Sequence, residues 1–341
     1  MLLKAILQPI LPKSLFDTLL LFRRSIPVRR AIKKAYRYDL QHYLNHSGLI
    51  NQAAKTVLTG RIINAYHSIE KGLTMPDFRP GFGKGVLLGL INDCLYYLQT
   101  YGDQELQIKH ALGVLKAYEA HHEQLNHPLD AAIQVNLNRL HPYQATLPTC
   151  NQLETTKVAY FSASEAPFNQ FAISRASVRH YTTEPIPVAA IQSALTLATH
   201  TPSACNRQCW RTYQYEDLAH IQRILDAQGG NRGFGHLVTH LIVITAETGV
   251  FQTIDERNQA YIDGGMYAMN LLYALHHQQI ACCILNCSHT PDKDRTMRTL
   301  TGIKPSEVFI AMITCGIPPS QFKLTLSKRY PYTFTNTRIP L

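Results

Sequence analysis

No run of apolar residues in this 341-residue chain reaches the ~18–20 needed to span a bilayer. The longest near the start, Leu19–Phe22, is far too short. No small-residue cleavage site follows a compact apolar core there, so no secretory signal is expected and a cytoplasmic location follows. Gly-x4-Gly-Lys-Ser/Thr is absent, which removes a P-loop, and no Gly-x-Gly-x-x-Gly follows a strand, which removes a resident dinucleotide domain. Gly-x-Ser-x-Gly and His-Glu-x-x-His are missing too, so the hydrolase and metalloprotease readings fall. The eight cysteines are too few for a disulfide scaffold in a chain of this length, and Cys282–Cys283 are adjacent; reduced thiols are expected. Cys205-x3-Cys209 and Cys283-x3-Cys287 match no standard zinc spacing, so no metal is expected.

The net charge of +10 is unevenly placed. Residues 1–34 hold eight Lys/Arg against one Asp; residues 35–150 hold nine of each sign; residues 151–341 hold 16 basic and 13 acidic side chains. Basicity therefore belongs to an N-terminal arm and not to the body, which argues against nucleic acid as a partner. The arm reads as short amphipathic helices broken at Pro9, Pro12 and Pro27, with Leu2, Leu3, Ile6, Phe16, Leu19, Leu20 and Phe22 on apolar faces. It is either a helix packed on the body with a solvated basic face or a peripheral contact with anionic lipid.

Residues 35–150 read as a helical extension, with apolar positions three and four apart in 49–63, 86–97 and 106–118. Within it lie His67-Ser-Ile-Glu70-Lys71-Gly72-Leu73 and Arg79-Pro-Gly-Phe-Gly83. They read as a helix ended at Gly72 by a left-handed cap, then a turn, with acid–base chemistry as the alternative. Residues 141–160, with Pro142 and Pro148, read as a linker. From 157 to 341 the pattern becomes α+β, with helices over 188–198, 218–227, 259–277 and 291–300 and strands over 210–215, 238–245, 280–285 and 308–315.

Four stretches of this second half carry candidate chemistry. Arg175-Ala-Ser177-Val-Arg179 spaces two permanent cations four apart, one face of a helical turn, around a hydroxyl. Pro202-Ser203-x-x-Asn206-x-Gln208 puts uncharged donors and acceptors on a loop. Asp263-Gly264-Gly265 sets two glycines inside a helix, at about 1 kcal/mol each relative to alanine, which close approach of a neighbour must offset. Gly316-Ile-Pro318 is followed by the cationic pair Lys328–Arg329.

Taken together, in this order, these stretches resemble the FMN-dependent nitroreductase family over about residues 160–335. The resemblance implies an α+β sandwich, a central mixed sheet flanked by helices, forming an intertwined homodimer with FMN at the interface. It implies that Arg175 and Ser177 hold the phosphate and ribityl end and that Arg179 lies by the N1–C2 edge of the ring, where a fixed cation stabilises reduced flavin. Pro202, Ser203, Asn206 and Gln208 would reach the FMN bound mainly by the other chain. Cys283, Leu285 and Asn286 would pass over the ring with backbone donors near N5, and Lys328 or Arg329 would meet the phosphate. Two features depart from the family: the loop 228–236 is short, and the helical extension is extra. Such an extension looks like that of nitroreductase-like proteins associated with bacterial surface-polysaccharide synthesis. The implied activity is NAD(P)H-dependent reduction of a small organic substrate by ping-pong hydride transfer. The alternatives are oxidation or desaturation of a sugar or peptide intermediate, and a non-catalytic membrane-docked module. No catalytic residue is assigned; His67, Glu70 and Tyr181 are conceivable general acids.

Overall fold

A computed structural model describes residues 12–48, 54–145, 147–150 and 152–339. Among these, residues of Met1–Val57 and Gln252–Arg257 form one compact unit, and those of Leu58–Phe251 and Asn258–Leu341 form another.

In the first unit a single helix, α1 (Lys13–His46), replaces the expected series of short ones. Leu2, Leu3, Ile6 and Pro9 lie outside the described residues. Pro12 precedes the helix and Pro27 lies inside it. An internal proline costs about 3 kcal/mol, and here good helix formers (Leu, Arg, Lys, Ala) on both sides carry the helix past it. Asp39 of α1 accepts two hydrogen bonds from Arg257, both at 2.7 Å. Leu21 and Phe22 are exposed.

The second unit begins at Leu58 with a helical layer: α2 (Lys55–Leu73) from that residue on, α3 (Lys84–Tyr101), α4 (Leu106–Gln124) and α5 (Ala131–Asn138). Their periodic apolar positions, among them Ile62, Leu90, Ile91, Leu112, Leu115 and Leu137, form one buried cluster. Gly72 is not a left-handed cap; it lies within α2, where a Cβ would come within 2.1 Å of the Phe82 ring. The expected linker contains a strand, β1 (Leu153–Thr156), which pairs antiparallel with β6 (Gln321–Leu324).

The main sheet runs β2 (Trp210–Tyr215), β3 (His240–Glu247), β5 (Glu307–Gly316), β4 (Ala281–Asn286) in spatial order. Where a mixed sheet was expected, every described pairing is antiparallel. Helices α7 (Val188–Ala198) and α9 (Gln259–His277) cover one face, with Ile191, Leu271, Ile242, Ile244 and Ile313 between. On the other face α8 (Leu218–Gln228) and α10 (Pro291–Thr301) pack through Ile224 and Met297 onto Leu241, Val243 and Met312. Burial on both faces is why β3 reads as a continuous apolar run rather than an alternation. Gly264 of α9 lets the helix approach the sheet, since a Cβ there would meet Ile310 at 2.6 Å; Gly265 faces open space.

Candidate functional site

Helix α6 (Phe168–Ser174) stops at Arg175, whose φ of −70° and ψ of 122° are extended. The stretch 175–182 then runs along the outer edge of β4 and across the end of β5. Val178 donates its N–H to Cys282 O at 3.0 Å, and Thr182 to Ile317 O at 2.8 Å. The Tyr181 hydroxyl donates to Val178 O at 2.7 Å, and a Cβ on Gly316 would meet the Tyr181 ring at 2.6 Å, so only glycine fits beneath it. The helical turn read from the sequence is therefore wrong. Its consequence, one shared face for both arginines, does not follow from the spacing. In extended chain alternate residues share a side. Here strict alternation does not hold, since Ala176, Val178 and Tyr181 all pack into the core, and the two arginines meet different neighbours, His276 and Cys282 for Arg175 and Lys71 for Arg179.

Arg175 makes no side-chain hydrogen bond or ion pair among the described residues, and its Nε and Nη1 are buried without a partner. Its charge reaches a half-enclosed neighbourhood. Burial, then Arg175, lowers the His276 pKa to about 4, and burial pushes the Cys282 thiol up to about 12 despite Arg175. Buried donors of a permanent cation are costly unless met by an acceptor. The phosphate of FMN is such an acceptor, so the residues present fit the group. Arg179 shares its surroundings with Lys71, the last-turn lysine of α2, whose pKa is lowered by burial and then by Arg179 and Arg232.

On β4, Val178 bonds to Cys282 O and Gln228 donates to Asn286 O, so alternate residues 282, 284 and 286 turn their backbone to the free edge. Cys283 and Leu285 turn theirs toward β5. Of the stretch 283–286 read from sequence, Ile284 and Asn286 present backbone at the edge, and Cys283 and Leu285 do not.

The loop 202–208 sits elsewhere. Ala204 N–H donates to Asp263 Oδ2 at 3.1 Å, Gln208 N–H to Ser203 Oγ at 3.0 Å, and Cys205, Asn206 and Gln208 adopt positive φ. Pro202, Asn206 and Gln208 are exposed. This loop leads into Trp210, opposite Ala246, whose β5 partner is Val308; the arginine stretch meets Cys282, whose β5 partner is Cys315. Seven steps of β5, roughly 23 Å, separate the two ends. One chain does not bring the two halves of the predicted site together.

Lys328 and Arg329 are exposed and follow a loop that α2 and α4 hold. Glu70, wholly buried, accepts the N–H groups of Leu326 at 3.0 Å and Ser327 at 3.2 Å, and Gln107 donates to Lys328 O at 3.3 Å. His110 Nε2 lies 3.3 Å from the same carboxylate. Burial favours the neutral acid, but the bonds from His110 and His67 outweigh it and bring the Glu70 pKa to about 2. Glu70 is thus an ionised clamp and not a general acid. Tyr181 is also excluded from that role, since its hydroxyl is buried on Val178 O and Thr314 and burial holds its pKa well above 10. Of the three conceivable acids, His67 alone keeps a partly solvent-facing side chain, 40% exposed.

Residues 172–231 match the model of the nitroreductase family.

The nitroreductase match takes in Arg175, Ser177, Arg179, Pro202, Ser203, Asn206 and Gln208, and leaves the β4 edge, Lys328–Arg329 and α2 outside. No curated protein matches the chain. Among solved structures, one described as a nitroreductase in complex with FMN from Desulfovibrio desulfuricans is similar at 22% identity, covering 51% of this chain and 98% of that one, with a TM-score of 0.43. One described as an NADH oxidase from Clostridium acetobutylicum is similar at 18% identity over 48% and 96%, TM-score 0.42. An FMN-dependent nitroreductase from Clostridium difficile is similar at 17% over 43% and 86%, TM-score 0.39. Among the described residues no helix is long and apolar enough to cross a membrane.

Proposed function

We propose that the chain is an FMN-dependent oxidoreductase that uses NAD(P)H to reduce a small organic substrate. The observation that carries this reading is the unpaired, buried guanidinium of Arg175, which lies with Ser177 and Arg179 inside the matched segment. Arg175 and Ser177 hold the phosphate end, and Lys328 or Arg329 adds charge from the loop that Glu70 clamps. Arg179 lies by the ring edge that becomes anionic on reduction, where a fixed cation is most effective. Ile284 and Asn286 offer backbone donors from the β4 edge. When bound, the flavin supplies the hydride chemistry; the protein positions and shields it. With no dinucleotide fingerprint in the sequence, NAD(P)H and the second substrate use one face in turn. A visible spectrum of the purified protein, followed by anaerobic addition of NAD(P)H, tests the reading directly.

The separated halves of the site favour a homodimer in which the 202–208 loop of one copy completes the arginine end of the other. An apolar stripe on α9, Ile262, Met266 and Met269, is exposed at 53%, 38% and 38% and is the surface such a partner would cover.

Exposed Leu21 and Phe22 beside Arg23, Arg24, Arg29 and Arg30 favour a peripheral membrane contact of the arm. Co-sedimentation with anionic vesicles tests it: the full chain binds at low salt, and a chain lacking residues 1–34 does not.

A further inference from the structure

Two cavities adjoin where α2 ends. The larger, about 820 Å³, has His180, Phe78, Thr156 and Phe322 in its walls; the smaller, about 270 Å³, is walled by Lys71, Arg79 and Arg232. Met75 and Asp77 line both. Glycines let the walls close in. Gly72 admits the Phe82 ring, and Gly233, at a φ of +88°, lies so near Met75 that a Cβ would meet its Sδ at 2.8 Å. The smaller cavity is built by the end of α2, the Arg79–Gly83 turn and the 228–236 loop, and its cations Lys71, Arg79 and Arg232 have no part in the flavin-site reading.

Its charge is one-sided. Lys71, Arg79 and Arg232 make no ion pair among the described residues, and Arg179 adds its field to that of Lys71. The acid in the walls, Asp77, is exposed and lies 3.6 Å from His236. Three cations against one exposed carboxylate suit a ligand group carrying more than one negative charge. Two guanidinium forks match phosphoryl oxygens better than they match a single carboxylate. A volume below the ~300–1,000 Å³ usual for a whole ligand suits one end of a molecule whose body fills the adjoining cleft.

We propose that this pocket seats the phosphoryl group of a phosphate- or diphosphate-bearing organic substrate whose body occupies the larger cavity, beside Arg179 and His180. The proposal rests on the oxidoreductase reading for the word substrate; the pocket's anion binding stands apart from it. The probe is inorganic pyrophosphate, titrated by calorimetry at constant ionic strength into the full chain before and after saturation with FMN. Saturable binding that persists in the FMN-loaded protein is expected. It weakens about ten-fold or more in the double variant R79Q/R232Q, whose flavin spectrum stays that of the parent. Both arginines are exposed, so the fold tolerates the change. The single variants R79Q and R232Q, each weakening binding, serve if the double variant is unstable. Displacement of pyrophosphate by NADH names the dinucleotide as the phosphoryl source, and no displacement assigns it to the second substrate. Absence of saturable binding, equal affinity in the variants, or binding abolished by FMN would overturn the proposal; the last would make the pocket the flavin phosphate's own seat. A chain that takes up no FMN but binds pyrophosphate through Arg79 and Arg232 would sink the oxidoreductase reading and leave the anion pocket standing.

Discussion

The carboxylate of Glu70 in α2 holds the backbone N–H of Ser327, 257 positions further along the chain, at 3.2 Å. Ser327 carries a φ of +47°, strained for a non-glycine residue, immediately before Lys328 and Arg329. Glu70→Gln keeps the shape but removes the charge that His110 and both amides address. We expect a loss of about 3–5 kcal/mol, the range for breaking a buried charged pair, and weaker FMN affinity with little change at Arg175. Urea unfolding and flavin titration of the same variant check both.

The same pair predicts a pH profile. Burial opposes a charged His110, but hydrogen bonds to Cys150 and Glu70 raise its pKa to about 9 from 6.5, while that of Glu70 falls to about 2 from 4.5. A raised histidine stabilises fully below 6.5 and loses its contribution as pH rises through about 9. A depressed carboxylate contributes fully above 4.5 and loses it as pH falls through about 2. These are two sides of one interaction, so its contribution is greatest between pH 4.5 and 6.5. A scan of Tm against pH should show that plateau in the parent, and a flatter curve in Glu70→Gln.

Two glycines should behave oppositely in single alanine variants. Gly316→Ala drives a methyl into the Tyr181 ring from a central strand, where overpacking costs typically about 1–3 kcal/mol. Gly85, on α3 with nothing within 4 Å of an added methyl, should gain up to about 1 kcal/mol as alanine through helix propensity. Thermal unfolding of the pair reads the contrast.

If two copies complete one site, Arg175→Ala and Asn206→Ala should each abolish activity alone and partly restore it when mixed. Random pairing of two such defective chains leaves about a quarter of the sites intact. Activity of refolded mixtures, set beside the mass of the particle by light scattering, tests this; additive inactivity in a stable dimer would exclude a shared site.

Much of the fold was legible because its signals are local. Pro187 and Pro291 mark the starts of α7 and α10, alternation marks β2, and all-round apolarity marks α9, whose observed bounds match those read from the sequence. What escaped was non-local. The β1 strand is four residues long and exists by pairing with β6, Leu153 opposite Leu324. The Arg175–Tyr181 segment is extended because Cys282 and Ile317 carbonyls hold it, and no spacing within the segment shows that. Glu70 and Lys71 stood out in sequence as a cluster of ionisable residues. Their split roles, one facing the 326–327 amides and the other near Arg179 and Arg232, depend on neighbouring positions of a helix meeting different distant segments of chain.

Everything proposed for the site depends on Arg175 being an anion-seeking cation beside a flavin. The most direct measurement is equilibrium FMN binding, by quenching of flavin fluorescence, to the parent chain and to Arg175→Ala of matched helical content. Stoichiometric binding by the parent, bleached by anaerobic NAD(P)H, is expected, with affinity at least about ten-fold weaker in the variant, the loss of one charged hydrogen-bonding partner. Parent protein that takes up no flavin, or a variant that binds it equally well, would contradict it.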